Sequence, residues 1–203
     1  MDTDAIVAAE ADQIANSPLL SVDQLPDIDL YIEQMTSYIE ERMGDSLRTG
    51  DEKIITKPMV NNYTKGGLLP RPKNRRYGRE HLIPLLFICI MKQSLSVSEI
   101  KTALSLRPTA KEQKETYAHF VALANNYRAV FSRNQEERIS RIRDAVGEDC
   151  TEEELALLYV TLTSLESAAD KLVCSRILKG LQENSSSGSN TRSKERKKSA
   201  PAD

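Results

Sequence analysis

Residues 81–93, HLIPLLFICIMKQ, carry no charged side chain from Leu82 to Met91. A helix that is apolar around its whole circumference has no face to turn toward water, so other elements must enclose it. The ten apolar residues are too few to cross a bilayer, which takes about 20. The enclosure therefore has to be protein, and the rest of the chain has to supply it. Pro84 stands either near the first turn of this helix or at a kink, and the sequence leaves both open.

Helices are the available material. Aromatic residues make up only 5% of the chain and Trp is absent, while Leu, Ala, Glu and Lys are abundant. Leu30, Ile32, Met35, Ile39 and Met43 recur at helical spacing in LPDIDLYIEQMTSYIEERM, with Asp27 or Asp29 as the cap. Ser96 and Glu99 form an S-x-x-E capping box for a short helix that stops at Arg107–Pro108. Thr109 and Glu112 repeat the box and open a long helix with Tyr117, Phe120, Val121, Ala124, Tyr127 and Phe131 along one side. A shorter helix through Ile139, Ile142 and Val146 is expected to end at Gly147. Thr151 and Glu154 make a third box, before Leu155, Leu158, Leu162, Leu165, Ala169 and Leu172 at alternating spacings of three and four. That is a coiled-coil seam, serving either packing against the 110–132 helix or a homodimer.

Charge is distributed unevenly beneath a net value of −2. Residues 1–52 hold thirteen acids and two bases, whereas 53–79 hold eight bases and no acid. Within the basic run, Thr56 is a good N-cap, Pro58 suits the first turn of a helix, and Gly66–Gly67 suits its end. Met59 and Tyr63 would face the core. Lys57, Asn61 and Lys65, spaced by four, share an outer face with Asn62 beside it. LLPRPKNRRY then has two prolines and a Lys–Asn turn, which predicts a hairpin or wing carrying Arg71, Lys73, Arg75 and Arg76. Lys and Arg neutralise phosphates, and Asn can both donate to and accept from an adenine edge. The plain alternative is a solvated basic surface.

The segment ITKPMVNNYTKGGLLPRPKNRRYGREHLIPLLFICIMKQSLSVSEIKTAL resembles the MerR-type DNA-binding domain. The likeness rests on Tyr63, the GLLPRP stretch, Arg76–Tyr77 and LSVSEI at 95–100, and it covers about residues 25–106. Asn61 stands where that family has a phosphate-contacting Arg. The chain from LPDIDLYIEQM onward is similar to a bacterial family of uncharacterised proteins with such a MerR-like region. The resemblance implies a mainly α fold: a winged helix-turn-helix with a small β-hairpin wing, then a C-terminal helical bundle. It also implies double-stranded DNA as partner, a homodimer built on Leu155, Leu158, Leu162, Leu165 and Leu172, and room for a small-molecule effector. The expected organisation is an acidic flexible tail or weak helix at 1–24, the winged domain at 25–108, a helical domain at 109–184 and a disordered basic tail at 185–203.

Other chemistry finds little footing. His81 and His119 stand alone, and Cys89, Cys150 and Cys174 are far apart, so neither a metal site nor a disulfide framework is expected. No signal-peptide pattern opens the chain, which with the lone thiols suggests a cytoplasmic protein. No nucleophile elbow, phosphate loop or paired-carboxylate motif occurs, so a non-enzyme without cofactors is expected. The expected function is a transcriptional regulator using Lys57, Asn61, Asn62 and Lys65 in the major groove and Arg71, Lys73, Arg75 and Arg76 on the wing. The second reading is an interaction adaptor that keeps the fold without touching DNA.

Overall fold

A computed structural model describes residues 2–17, 19–48, 50–147 and 149–198, with side chains through Glu183. The elements run α1 (Thr3–Asn16), a 3-10 turn at Val22–Gln24, β1 (Leu30–Tyr31), α2 (Ile32–Leu47), α3 (Lys57–Lys65), β2 (Arg76–Tyr77), α4 (Arg79–Met91), α5 (Val97–Ser105), α6 (Ala110–Val146) and α7 (Glu152–Lys198). The architecture is mainly helical, with one two-stranded antiparallel sheet. Among the described residues no helix is long and apolar enough to cross a membrane.

Helix α4 is the enclosed segment. Leu82, Leu85, Leu86, Ile88 and Cys89 are shut off from solvent. Burial pushes the Cys89 thiol up to about 12, so it acts as a small neutral hydrophobe. Met35, Ile39 and Met43 from α2, Val60 from α3, Ile100 from α5 and Leu19, Leu20 and Leu25 from the N-terminal segment close around it. Tyr117 of α6 completes the wall: its ring meets Phe87 edge-on at 5.2 Å and its hydroxyl donates to the Leu20 carbonyl at 2.8 Å. The main core therefore continues past residue 108, where the domain boundary was expected, into the first half of α6. Pro84 falls in the second turn of α4, where the carbonyl that loses its partner belongs to exposed Glu80.

Four stretches resolve or depart from the sequence expectation. Residues 3–16 take the helical of the two expected alternatives and not the flexible one, because α1 docks on the α6–α7 pair. The Thr3 N–H donates to Glu152 Oε2 at 2.8 Å, Asp4 pairs with Arg143 at 3.1 Å, and Val7 packs on a second core of Ile139, Ile142 and Leu155. Helix α2 starts at Ile32, not at an Asp cap, because Leu30–Tyr31 is taken up as β1; Gln34 Oε1 accepts the Tyr31 N–H at 2.9 Å. Helix α6 is continuous where two helices were expected, since Ser132–Arg133–Asn134 contains neither Gly nor Pro to break it. The backbone of α7 remains helical past Ser185, where an unfolded tail was expected; propagation costs little once a helix is nucleated. The side chains of 185–198, and residues 199–203 altogether, lie outside the described residues.

Arg143 pairs with Glu152 at 2.9 Å, and farther from the turn Arg138 reaches Thr163 at 2.8 Å and Glu166. The two long helices are thus antiparallel, and Glu152 links both to α1. The Thr3 N–H, the Arg143 guanidinium and the Thr3 hydroxyl hold the Glu152 carboxyl at about 2, below its ordinary 4.5. A depressed folded-state pKa contributes stability above the unfolded value and loses it as pH falls. Lowering pH from 5 to 2 should therefore loosen α1, read as faster amide exchange at Thr3 to Ala8. Glu152→Gln should give the loosened state already at pH 7 and remove the acid-dependent step.

Candidate nucleic-acid interface

Helix α3 begins at Thr56, whose hydroxyl accepts the Met59 N–H at 3.4 Å, with Pro58 in its first turn. Val60 is its one fully buried residue, and Met59 and Tyr63 are half-buried against the core. The helix closes in a Schellman motif: Gly66 remains right-handed while Gly67 takes φ +73, and the Leu68 and Gly67 N–H groups donate to the Tyr63 and Thr64 carbonyls at 2.9 and 3.2 Å. Leu68 and Leu69 then plug into the core. Lys101 of α5 donates to the Gly66 carbonyl at 2.9 Å, placing a cation at the negative end of α3.

The wing is smaller than a two-stranded hairpin. Pro70 and Pro72 have no N–H to offer, so the outgoing limb cannot make a ladder. Only a bridge between Lys73 and Arg76 closes the tip, with the Arg76 N–H donating to the Lys73 carbonyl at 2.9 Å. Asn74 and Arg75 have φ +50 and +60, the signature of a type I′ turn. Past the tip the chain pairs with a distant segment: β2 lies antiparallel to β1, Leu30 opposite Tyr77 and Tyr31 opposite Arg76. The Arg76 guanidinium sits 4.4 Å from the Tyr31 ring centre and donates to the Tyr31 hydroxyl at 3.0 Å.

Two side chains that anchor this region carry no motif. His81, 2% exposed, accepts the Gly78 N–H on Nδ1 at 3.1 Å, and its Nε2 lies 3.4 Å from the Arg71 carbonyl. These partners assign the proton to Nε2, leaving neutral His81 to join the root of the wing to the start of α4. Glu80 Oε1 is 3.6 Å from Nδ1, but that nitrogen is already an acceptor, so no ion pair forms. Glu40 is the other anchor. It pairs with Arg48 at 2.6 Å and accepts the Ile54 N–H at 3.0 Å, turning the 48–56 connector back along α2 to deliver α3. An isolated His at the third position of an apolar helix was the available signal for His81. For Glu40 there was none, because the partner backbone lies fourteen residues on.

All eight expected DNA-binding residues, Lys57, Asn61, Asn62, Lys65, Arg71, Lys73, Arg75 and Arg76, are exposed. They are not equally free. Lys57 pairs with Glu33 at 2.7 Å, which lowers the Glu33 carboxyl pKa, and Arg76 is occupied by Tyr31. Lys65, Arg71, Lys73 and Arg75 form no ion pair among the described residues. The expected dimer seam divides. Leu155 is fully buried on Ile139 and Ile142, and partly buried Leu158 packs on the same cluster, so these two make contacts within the chain. Leu162, Leu165 and Leu172 are 40, 65 and 55% exposed. Among the described residues no cluster of three His, Cys, Asp or Glu side chains could hold a metal ion.

Comparisons with curated proteins and with solved structures gave no match. A family model described as a domain of unknown function, DUF1836, matches residues 20–130, just over half of the 203-residue chain. These limits enclose the main core from Leu20 through Tyr117 and Val121, all but Leu19 at its edge, and include the basic run and its anchors. The chain belongs to the DUF1836 family.

Proposed function

We propose that this chain is a DNA-binding transcriptional regulator of MerR-like winged helix-turn-helix type, gripping a duplex with the outer face of α3 and the 70–76 turn. The observation that carries the reading is an exposed run of four cations, Lys65, Arg71, Lys73 and Arg75, without an ion pair among the described residues and close in sequence to Asn61 and Asn62. Such a surface exchanges condensed counterions for phosphates, and Asn side chains can read base edges. The turn geometry adds support. Arg75 holds a left-handed φ that costs a bulky residue about 1–2 kcal/mol and that Gly adopts freely. Strain of this kind is characteristic of functional loops.

The regulator would work as a homodimer through the part of α7 that the chain leaves uncovered. Leu162, Leu165 and Leu172 continue the heptad beyond the internal contacts. Residues 152–170 hold five acids and no base, and 171–183 hold three bases and one acid. Two copies paired antiparallel would set one half against the other.

A second reading, the adaptor without DNA contact, draws on the Glu33–Lys57 pair and the Tyr31–Arg76 stack, in which the N-terminal segment already occupies part of the basic face. Fluorescence anisotropy with random-sequence duplexes across salt concentrations separates the two. Under the regulator reading the affinity falls steeply with salt, and Arg71→Ala with Arg75→Ala flattens the log–log slope by about 2. Asn61→Ala relaxes preference at one base position, and Glu33→Gln, which frees Lys57, raises affinity severalfold. Salt-independent or absent binding in every variant selects the adaptor.

Arg75→Gly should stabilise the fold by about 1 kcal/mol in urea unfolding while weakening duplex binding, a trade that a merely decorative arginine would not show. For the dimer, sedimentation equilibrium should give a mass near twice 22.8 kDa. Leu165→Glu with Leu172→Glu should return the monomer with unchanged circular dichroism.

A further inference from the structure

Arg128 lies on α6 within residues 116–135, a stretch without a single acid. Its Nη1 is the only buried side-chain nitrogen or oxygen without a hydrogen-bond partner among the described residues. Burial also pushes this guanidinium below its ordinary range. Beside it opens a cavity of about 380 Å³, walled by Leu19, Leu47, Ile90 and Phe120 and rimmed by Leu123 and Tyr127. The rim residues are 68 and 60% exposed, large apolar side chains that the chain itself does not cover. The volume falls within the range of small-molecule sites.

We propose that this cavity binds a small monocarboxylate with an apolar body, the carboxylate accepting from Arg128 and the hydrocarbon lying against Leu19, Ile90 and Phe120. A desolvated guanidinium N–H without an acceptor is costly, and a carboxylate bound beside Arg128 would supply one. Among the described residues Arg128 is the sole charged one lining the cavity. One positive charge balances a monoanion, whereas a dianionic phosphate would leave a charge uncompensated against apolar walls. The site lies on elements apart from α3 and the wing, so it stands or falls independently of DNA binding.

Isothermal titration of the full chain with octanoate, kept below its micelle concentration, and with octanol tests this. Octanoate should bind saturably at one site, and octanol at least about tenfold more weakly. Arg128→Met should abolish the preference for the acid while Arg128→Lys retains part of it. Ala124→Phe, which fills the cavity and leaves the cation in place, should remove binding of both. Circular dichroism and thermal unfolding confirm that each variant is folded. Absence of saturable octanoate binding to the wild-type chain, equal affinity for octanol, or unchanged octanoate affinity in folded Arg128→Met would each overturn the proposal.

Discussion

Enclosing α4 is the constraint from which the other placements follow. A helix with apolar side chains on every side can be hidden only by contacts from all directions. Here they come from α2, α3, α5, the first half of α6 and the 19–25 segment. At nine residues α3 is too short to be stable in isolation, so its orientation is set by Val60, Met59 and Tyr63 docking on this core. That docking uses one side of α3. The opposite side is released to solvent with its lysines and asparagines, so a buried helix determines what an exposed one can touch.

The turn at 70–76 owes its position to long-range contacts rather than to a hairpin of its own. Two prolines prevent the near limb from pairing, and the far limb is fixed by β1, more than forty residues earlier. His81 holds the root, and Arg76 clamps onto Tyr31. With base and exit secured in this way, Asn74 and Arg75 at the tip can hold a left-handed conformation. A loop anchored only by its own turn would relax instead.

Much of this was legible in the residues because local chemistry decided it. The capping boxes at Ser96 and Thr109 form as their spacing predicts, with the serine and threonine N–H groups donating to Glu99 and Glu112 at 2.8 and 3.0 Å. Gly67 ends α3 for the reason that a glycine pair suggests. What escaped depended on partners far along the chain. Leu30 and Tyr31 read as helix until Arg76 and Tyr77 arrive to pair with them. The acidic, Ala-rich start reads as a loose tail or a weak helix, and Glu152, about 150 residues away, decides it by accepting the Thr3 N–H. Leu155 and Leu158 match the coiled-coil pattern as well as Leu165 and Leu172 do. Period alone cannot tell a seam closed by the same chain from one left open.

Charge segregation in this chain is not an accident of composition that folding then neutralises. The N-terminal acids lie within reach of bases, and several are used: Asp27 on Arg79, Glu33 on Lys57, Glu40 on Arg48, Asp4 on Arg143. Each of these pairs ties one element to another or pins a connector. The same acidic excess leaves Lys65, Arg71, Lys73 and Arg75 without an ion pair among the described residues, although surface pairing there would cost little. Like charges held close on a fixed scaffold repel one another, and at physiological ionic strength that repulsion persists over about 8 Å. The acids that do pair serve the architecture of the fold.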